Sequence, residues 1–189
     1  MTKEKVFTIE GDKLNQNDVE IKSATLRDAL CNYSYELMTG TTVGDVLNRK
    51  GNQIVHEDLQ DAMSKFDVFL AHLDDAYTEN DNKTELSTLE EDVTTEKYSV
   101  SSFKLSGVEE NKSIILSGSK IVDAGVITFD SPKVKLHGNY LYLTQLLDVL
   151  DNVIDEVEQY MVGKSAPQPE QMHMDFASED DSFEKGKVG

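Results

Sequence analysis

The amino-terminal part of the chain combines short apolar clusters with glycine and polar breaks. The mostly apolar run Val6–Ile9 is followed by Gly11, which predicts a short strand and a turn. Residues 19–21 alternate and predict a second short strand. Thr25 is a residue type that caps helices, and Gly40 is one that ends them. Between them, apolar side chains recur at helical spacing and predict a helix: Leu26, Ala29, Leu30, Tyr33 and Leu37.

A second helical pattern lies between His56 and Tyr77. Its apolar residues recur at alternating steps of four and three: Leu59, Met63, Phe66, Leu70, Leu73 and Tyr77. This spacing places them on one face and predicts one long amphipathic helix. The polar run 78–92 has neither the helical nor the strand period, so it predicts a mobile connection after a helical amino-terminal half.

The period of the apolar pattern changes to two after the connection. The first apolar positions of this part are Tyr98, Val100, Phe103 and Leu105, and a turn-like segment at 109–111 leads to a second run at 114–116. Together they predict a β-hairpin. Further apolar runs on both sides of the turn at 123–125, and beyond Pro132, extend the hairpin into an antiparallel meander of three or four strands.

The longest apolar stripe lies between Tyr140 and Met161. It comprises Leu143, Leu146, Leu147, Leu150, Val153, Ile154, Val157 and Tyr160, with acidic side chains on the other faces. The stripe predicts a helix that is buried on the sheet or on a partner, and Gly163 ends it. The pattern therefore predicts one α+β domain over 1–163, in which two or three amphipathic helices pack with the meander. A disordered acidic tail is predicted over 164–189.

Composition and charge exclude several classes of protein. The chain has 36 acidic and 18 basic residues, a formal net charge of -18, and 38% hydrophobic residues. This charge repels phosphate backbones and anionic lipids, so we expect neither direct nucleic-acid binding nor membrane binding. No apolar segment of signal-peptide or membrane-spanning length is present, and the single Cys31 excludes an intrachain disulfide. We therefore expect a cytoplasmic protein with a buried, structural thiol.

The sequence contains no motif that demands a catalytic chemistry. The four histidines are too scattered for a metal site, and the glycine cluster 40–44 lacks the lysine of a phosphate-binding loop. Adjacent acidic residues are so abundant that no single pair indicates acid–base catalysis. We therefore expect no metal, no cofactor and no enzymatic activity.

One short string in the predicted tail matches a recognition pattern. The segment Gln171–Phe176 resembles the bacterial sliding-clamp-binding peptide, in which a glutamine and leucine-like or aromatic residues enter preformed pockets. Methionine is adaptable enough to replace leucine in such pockets. The resemblance implies docking on a sliding clamp or another replication protein. Gln171 would be the polar anchor, and the apolar anchors would be Met172, Met174 and Phe176.

The same tail is similar to the acidic tip of bacterial single-stranded-DNA-binding proteins, through residues 174–176 and 179–181 and through Phe183. The acidic, motif-free body is similar to accessory proteins of phages and mobile elements. These features favour a non-enzymatic adaptor that docks on another protein through its tail, in a DNA replication or repair assembly. A first alternative is a DNA mimic or inhibitor of host defence that uses its acidic surface. A second is an enzyme of unknown type that uses surface carboxylates.

Overall fold

A seven-stranded antiparallel sheet is the central element of the structure. The computed structural model describes residues 6–9, 12–15, 18–38, 44–77 and 85–167. Within these ranges the strands are β1 Val6–Ile9, β2 Asp12–Asn15, β3 Val19–Arg27, β4 Leu30–Leu37, β5 Val46–Ile54, β6 Tyr98–Ser106, β7 Ser113–Val122, β8 Gly125–Asp130 and β9 Val134–Lys135. The α-helices of the same ranges are α1 Glu57–Ser64, α2 Asp67–Leu73, α3 Leu86–Glu90 and α4 Leu143–Met161.

The order of strands divides the larger sheet into two similar halves. The strands lie in the order β5-β4-β3-β6-β7-β8, and β9 pairs with β7, whereas β1 and β2 form a separate two-stranded sheet. Each half is a three-stranded meander followed by helices: β3 to β5 precede α1 and α2, and β6 to β8 precede α4. The first strands of the halves, β3 and β6, are neighbours at the centre. The topology is therefore pseudo-twofold, with β5 and β8 on its two edges.

The core lies between the sheet and the helices, because alternate strand residues point towards α1, α2 and α4. On β3 and β6, Ala24 and Phe103 are fully buried, and their neighbours Thr25 and Ser102 point to the other face. The helices contribute their apolar stripes to the same core; its almost fully buried aromatic members are Tyr35, Phe66, Phe69 and Phe103. Burial of these side chains supplies the main driving force for folding.

The helix predicted between Thr25 and Gly40 is wrong. The segment is the hairpin of β3 and β4, and its two turn residues, Asp28 and Ala29, have φ angles of 53° and 60°. Positive φ at both central residues matches the twist of paired strands. The helical spacing was coincidental, since β4 alternates a buried or half-buried residue on the core face with a polar one on the other. The core-face residues of β4 are Cys31, Tyr33, Tyr35 and Leu37.

The other two helical patterns differ in outcome. The helix predicted over 56–77 is divided into α1 and α2, since the helical hydrogen bonding is interrupted at Lys65 and Phe66. The apolar face predicted for this segment is confirmed, because Leu59, Met63, Phe66 and Leu70 are all buried. The predicted carboxyl-terminal helix is α4, and Gly163 follows it with a φ of 101°. Its stripe is buried within the chain.

The predicted α+β class is confirmed, but the sheet has more strands than the three or four expected. The short strand predicted over 19–21 is the beginning of β3, and the strands that were not expected are β4 and β5. The second part of the predicted connection contains the short α3, which buries Leu86 and Leu89, while 78–84 lie outside the described residues. Within the described ranges, no helix is long and apolar enough to cross a membrane.

Candidate functional site

The docking residues predicted from the sequence all lie outside the described residues; they are Gln171, Met172, Met174 and Phe176. The structure does describe the first residues of the predicted tail. The backbone N–H of Ala166 donates a hydrogen bond to the carbonyl oxygen of Ile54, at an N···O distance of 2.9 Å. The last described residues of the chain therefore lie beside the end of the edge strand β5.

Lys164 reinforces this attachment. Its Nζ lies 2.6 Å from Asp58 Oδ2 on α1 and 2.6 Å from Glu156 Oε2 on α4. Burial alone would lower the pKa of Lys164, but the hydrogen bonds to the two carboxylates raise it. The ammonium group thus links α1, α4 and the beginning of the predicted tail.

Charge is segregated between the two layers of the described structure. The strands of the larger sheet carry an excess of basic residues: Lys22, Arg27, Arg49, Lys50, Lys104, Lys120 and Lys135, against Glu20, Glu36 and Asp130. The four helices contain no Lys or Arg within their described bounds. Their acidic residues are Glu57, Asp58, Asp61, Asp67, Glu90, Asp148, Asp151, Asp155, Glu156 and Glu158. The net charge of -18 therefore conceals a sheet that is locally basic.

The sheet face opposite the helices, which we call the open face, is lined by hydroxyl groups. Across β3 and β4, Ser23 Oγ lies 2.6 Å from Ser34 Oγ. Across β3 and β6, Thr25 Oγ1 lies 2.9 Å from Ser102 Oγ. In each pair the two hydroxyl groups hydrogen-bond to each other across neighbouring strands. Their short side chains leave this part of the sheet surface polar and free of bulky groups.

A network of ion pairs crosses one end of the open face. Lys22 Nζ lies 2.8 Å from Glu20 Oε2 and 2.6 Å from Glu36 Oε2, and Lys112 Nζ lies 2.6 Å from Glu20 Oε1. Burial would raise the pKa of Glu20, but hydrogen bonds from Lys112 and Lys22 lower it below its ordinary value. Two lysines thus balance two glutamates, which fixes the side chains on β3 and β4.

A groove of about 560 Å³ lies on the open face beside this network and spans β5, β4, β3 and β6. Its lining includes the hydroxyl groups of Ser23 and Ser34 and the apolar side chains of Val46 and Val108, which are 52% and 73% exposed. Lys104 also lines it and has no acidic partner among the described residues. The groove therefore combines a polar surface, an available cation and two exposed apolar side chains.

A second polar cluster joins α2 to the helix-facing side of the sheet. Lys120 Nζ lies 2.5 Å from Asp74 Oδ2, and the Tyr98 hydroxyl donates a hydrogen bond to the same oxygen at 2.7 Å. Lys120 Nζ is also 5.8 Å from the ring centres of Tyr98 and Phe129. The hydrogen bonds from Lys120 and Tyr98 outweigh the effect of burial and lower the pKa of Asp74. Such mutually satisfied contacts hold the layers together.

Two expectations about reactive groups concern the described residues. Cys31 is fully buried, and burial raises the pKa of its thiol to about 12, so it is a structural thiol as predicted. No group of three or more His, Cys, Asp or Glu within the described ranges is placed to hold a metal ion.

Comparison with known proteins assigns no family, because the chain matches no protein-family model, no curated protein and no solved structure. Sequence reasoning missed the groove, although the serines along β6 and β7 alternate with buried residues and could have indicated a polar sheet face.

Proposed function

We propose that the protein is a non-enzymatic adaptor that docks on another protein through the peptide Gln171–Phe176. The partner would be a sliding clamp or another replication protein, in a phage or mobile-element setting. Such a peptide binds by inserting its anchors into preformed pockets at a modest ordering cost.

The observation that carries the proposal is the attachment of Ala166 to Ile54. In the sequence, Gln171 follows this fixed point on the body after only a few residues. A peptide at this position can reach a partner's surface while the body remains folded. The acidic helical layer adds a field that favours a basic surface around the partner's pocket.

The test is a titration of the full-length protein against the sliding clamp of its host. Replacing Phe176 with Ala should weaken binding by about 1–3 kcal/mol, or roughly 5- to 150-fold, if its ring fills a pocket. His173→Ala is the matched control, because it alters a spacer position and should leave affinity unchanged. Equal affinities for the wild type and Phe176→Ala, or no binding by either, would contradict the proposal.

The charge segregation favours a second candidate function, a mimic of nucleic acid that occupies a basic groove. Asp148 and Asp151 are exposed and about one turn apart on α4, and Glu57 and Asp61 are exposed on α1. A mimic should displace duplex DNA from a basic DNA-binding protein, and Asp148→Asn with Asp151→Asn should weaken that displacement. Failure of the wild-type protein to displace DNA would exclude this candidate for the protein tested.

A further inference from the structure

The two edges of the larger sheet differ in how they are protected against pairing with another chain. Exposed edge strands are usually protected by charged side chains, prolines or β-bulges. The edge strand β5 has such protection, because it carries Arg49 and Lys50 and its register with β4 is irregular. The carbonyl oxygen of its last residue, Ile54, also accepts the hydrogen bond from Ala166. β5 is therefore a poor template for a further strand.

β8, on the opposite edge, lacks this protection. It reads Gly-Val-Ile-Thr-Phe-Asp, with β-branched or aromatic residues at its four central positions and one charge, Asp130, at its end. All of its residues except Phe129 are exposed, and none of the described strands pairs with its outer side. We propose that β8 is a dimerisation site, where it pairs antiparallel with β8 of a second copy of the chain and joins two sheets into one.

The hydrogen bonding beside β7 shows which backbone groups of β8 face outwards. Ser131, directly after β8, donates its backbone N–H to the carbonyl oxygen of Leu116 and so points inwards. Because inward- and outward-facing residues alternate along an antiparallel strand, the backbone groups of Val126, Thr128 and Asp130 point outwards. A second β8 satisfies all three residues when Thr128 lies opposite its own counterpart. Val126 of each copy then lies opposite Asp130 of the other.

This register also covers an exposed apolar side chain. Ile127 and Phe129 lie on the helix side of β8, since they are two residues apart and Phe129 packs against the core beside Tyr98. Ile127 is 47% exposed. In the proposed register, Ile127 of each copy lies opposite Phe129 of the other, in the type of pair whose side chains approach most closely. The dimer therefore buries Ile127 in both copies, which favours association.

Charge favours this edge for contact between two copies. The chain has a formal net charge of -18, so two copies repel each other at long range. Residues 121–135, however, contain two acids and two lysines, all exposed: Asp123, Asp130, Lys133 and Lys135. The neighbouring Lys120 is balanced by Asp74. Because the paired strands run in opposite directions, the proposed register brings Lys133 of each copy towards Asp123 of the other.

This inference does not rest on the proposed function, because β8 is remote in sequence from the docking peptide. Sedimentation velocity of the full-length protein tests it. Pairing of two short strands buries a small interface, so we expect a dimer that forms at submillimolar concentration and dissociates on dilution. A monomer at every concentration would overturn the proposal.

A lysine at the centre of β8 tests whether this edge forms the dimer. Thr128→Lys should abolish dimerisation, because it places two ammonium groups opposite each other. Thr128 is exposed, so the variant should fold, which circular dichroism checks. Asn48→Lys is the matched control, because it adds the same charge at an exposed position of the other edge strand and should leave the dimer intact. A dimer of Thr128→Lys, or a monomer of Asn48→Lys, would contradict pairing through β8.

The register is tested by cross-linking. Residues opposite each other in a hydrogen-bonded pair have Cα atoms about 5.5 Å apart, which is within the range of a disulfide. Mild oxidation should therefore link two copies of Thr128→Cys, whereas Asn48→Cys should remain unlinked. Cys31 is buried in both variants, and the unchanged chain controls for its reaction. Equal cross-linking of the two variants would overturn the proposed pairing.

Discussion

At the beginning of α2, the side chain of Asp67 connects that helix to the sheet. Its Oδ1 accepts a hydrogen bond from the backbone N–H of Val100, at an N···O distance of 2.6 Å. Burial raises the pKa of Asp67 from 3.8 to about 7, although the hydrogen bond from Val100 favours the ionised form. The Asp67 carboxyl group therefore lies where ionisation is unfavourable, and its hydrogen bond to Val100 links α2 to β6.

The contribution of Asp67 to the free energy of unfolding should fall as the pH rises from about 4 to about 7. Between these values the folded state holds the Asp67 proton more tightly than the unfolded state, so folding is favoured below this window and loses this contribution above it. At about 1.4 kcal/mol per pKa unit, the loss is at most about 4 kcal/mol.

The variant Asp67→Asn keeps an oxygen acceptor for Val100 and removes the titration. Its free energy of unfolding should exceed that of the wild type by about 1–3 kcal/mol at pH 8, with little difference at pH 4. Urea unfolding across this pH range measures the effect, and exposed Asp61→Asn is the control. Parallel pH curves for the wild type and Asp67→Asn would contradict this explanation.

At the scale of elements, the sequence predicted α4 and the hairpin at β6 and β7 because their apolar periods are long and unambiguous. It failed for β3 and β4, where Leu26, Leu30, Tyr33 and Leu37 fit a helical period by chance. The turn at Asp28 and Ala29 contains no glycine, so the usual signal of a two-residue hairpin was absent. Pairing with β5 and β6 determined the outcome, and a local pattern contains no information about such partners.

The turn allows a direct test of the hairpin. Ala29 has a φ of 60°, which is unfavourable for a residue with a Cβ atom and easily adopted by glycine. Ala29→Gly should therefore raise the free energy of unfolding by about 0.5–1 kcal/mol, measured by urea unfolding. Ala24→Gly is the contrasting control, because Ala24 is buried within β3 and its loss should destabilise the protein.

At the scale of the whole molecule, the distribution of charge could not be predicted from its total. The sequence established the net charge of -18, but which residues share a layer depends on the fold. Lys22 and Lys104 are distant in sequence and line one groove through the order of the strands. The alternating serines could have indicated a polar sheet face, but the position of the groove depends on which strands are neighbours. The docking peptide, in contrast, is a local pattern that needs no fold to be recognised.

Amide hydrogen exchange of the full-length protein, with and without excess sliding clamp, tests the proposed adaptor function most directly. Each amide reports its own protection, so the measurement locates the contact as well as detecting it. We expect the clamp to slow exchange across residues 172–176 and to leave the amides of the central strands β3 and β6 unchanged. Unaltered exchange across 172–176, or protection confined to α1 and α4, would contradict docking through the peptide.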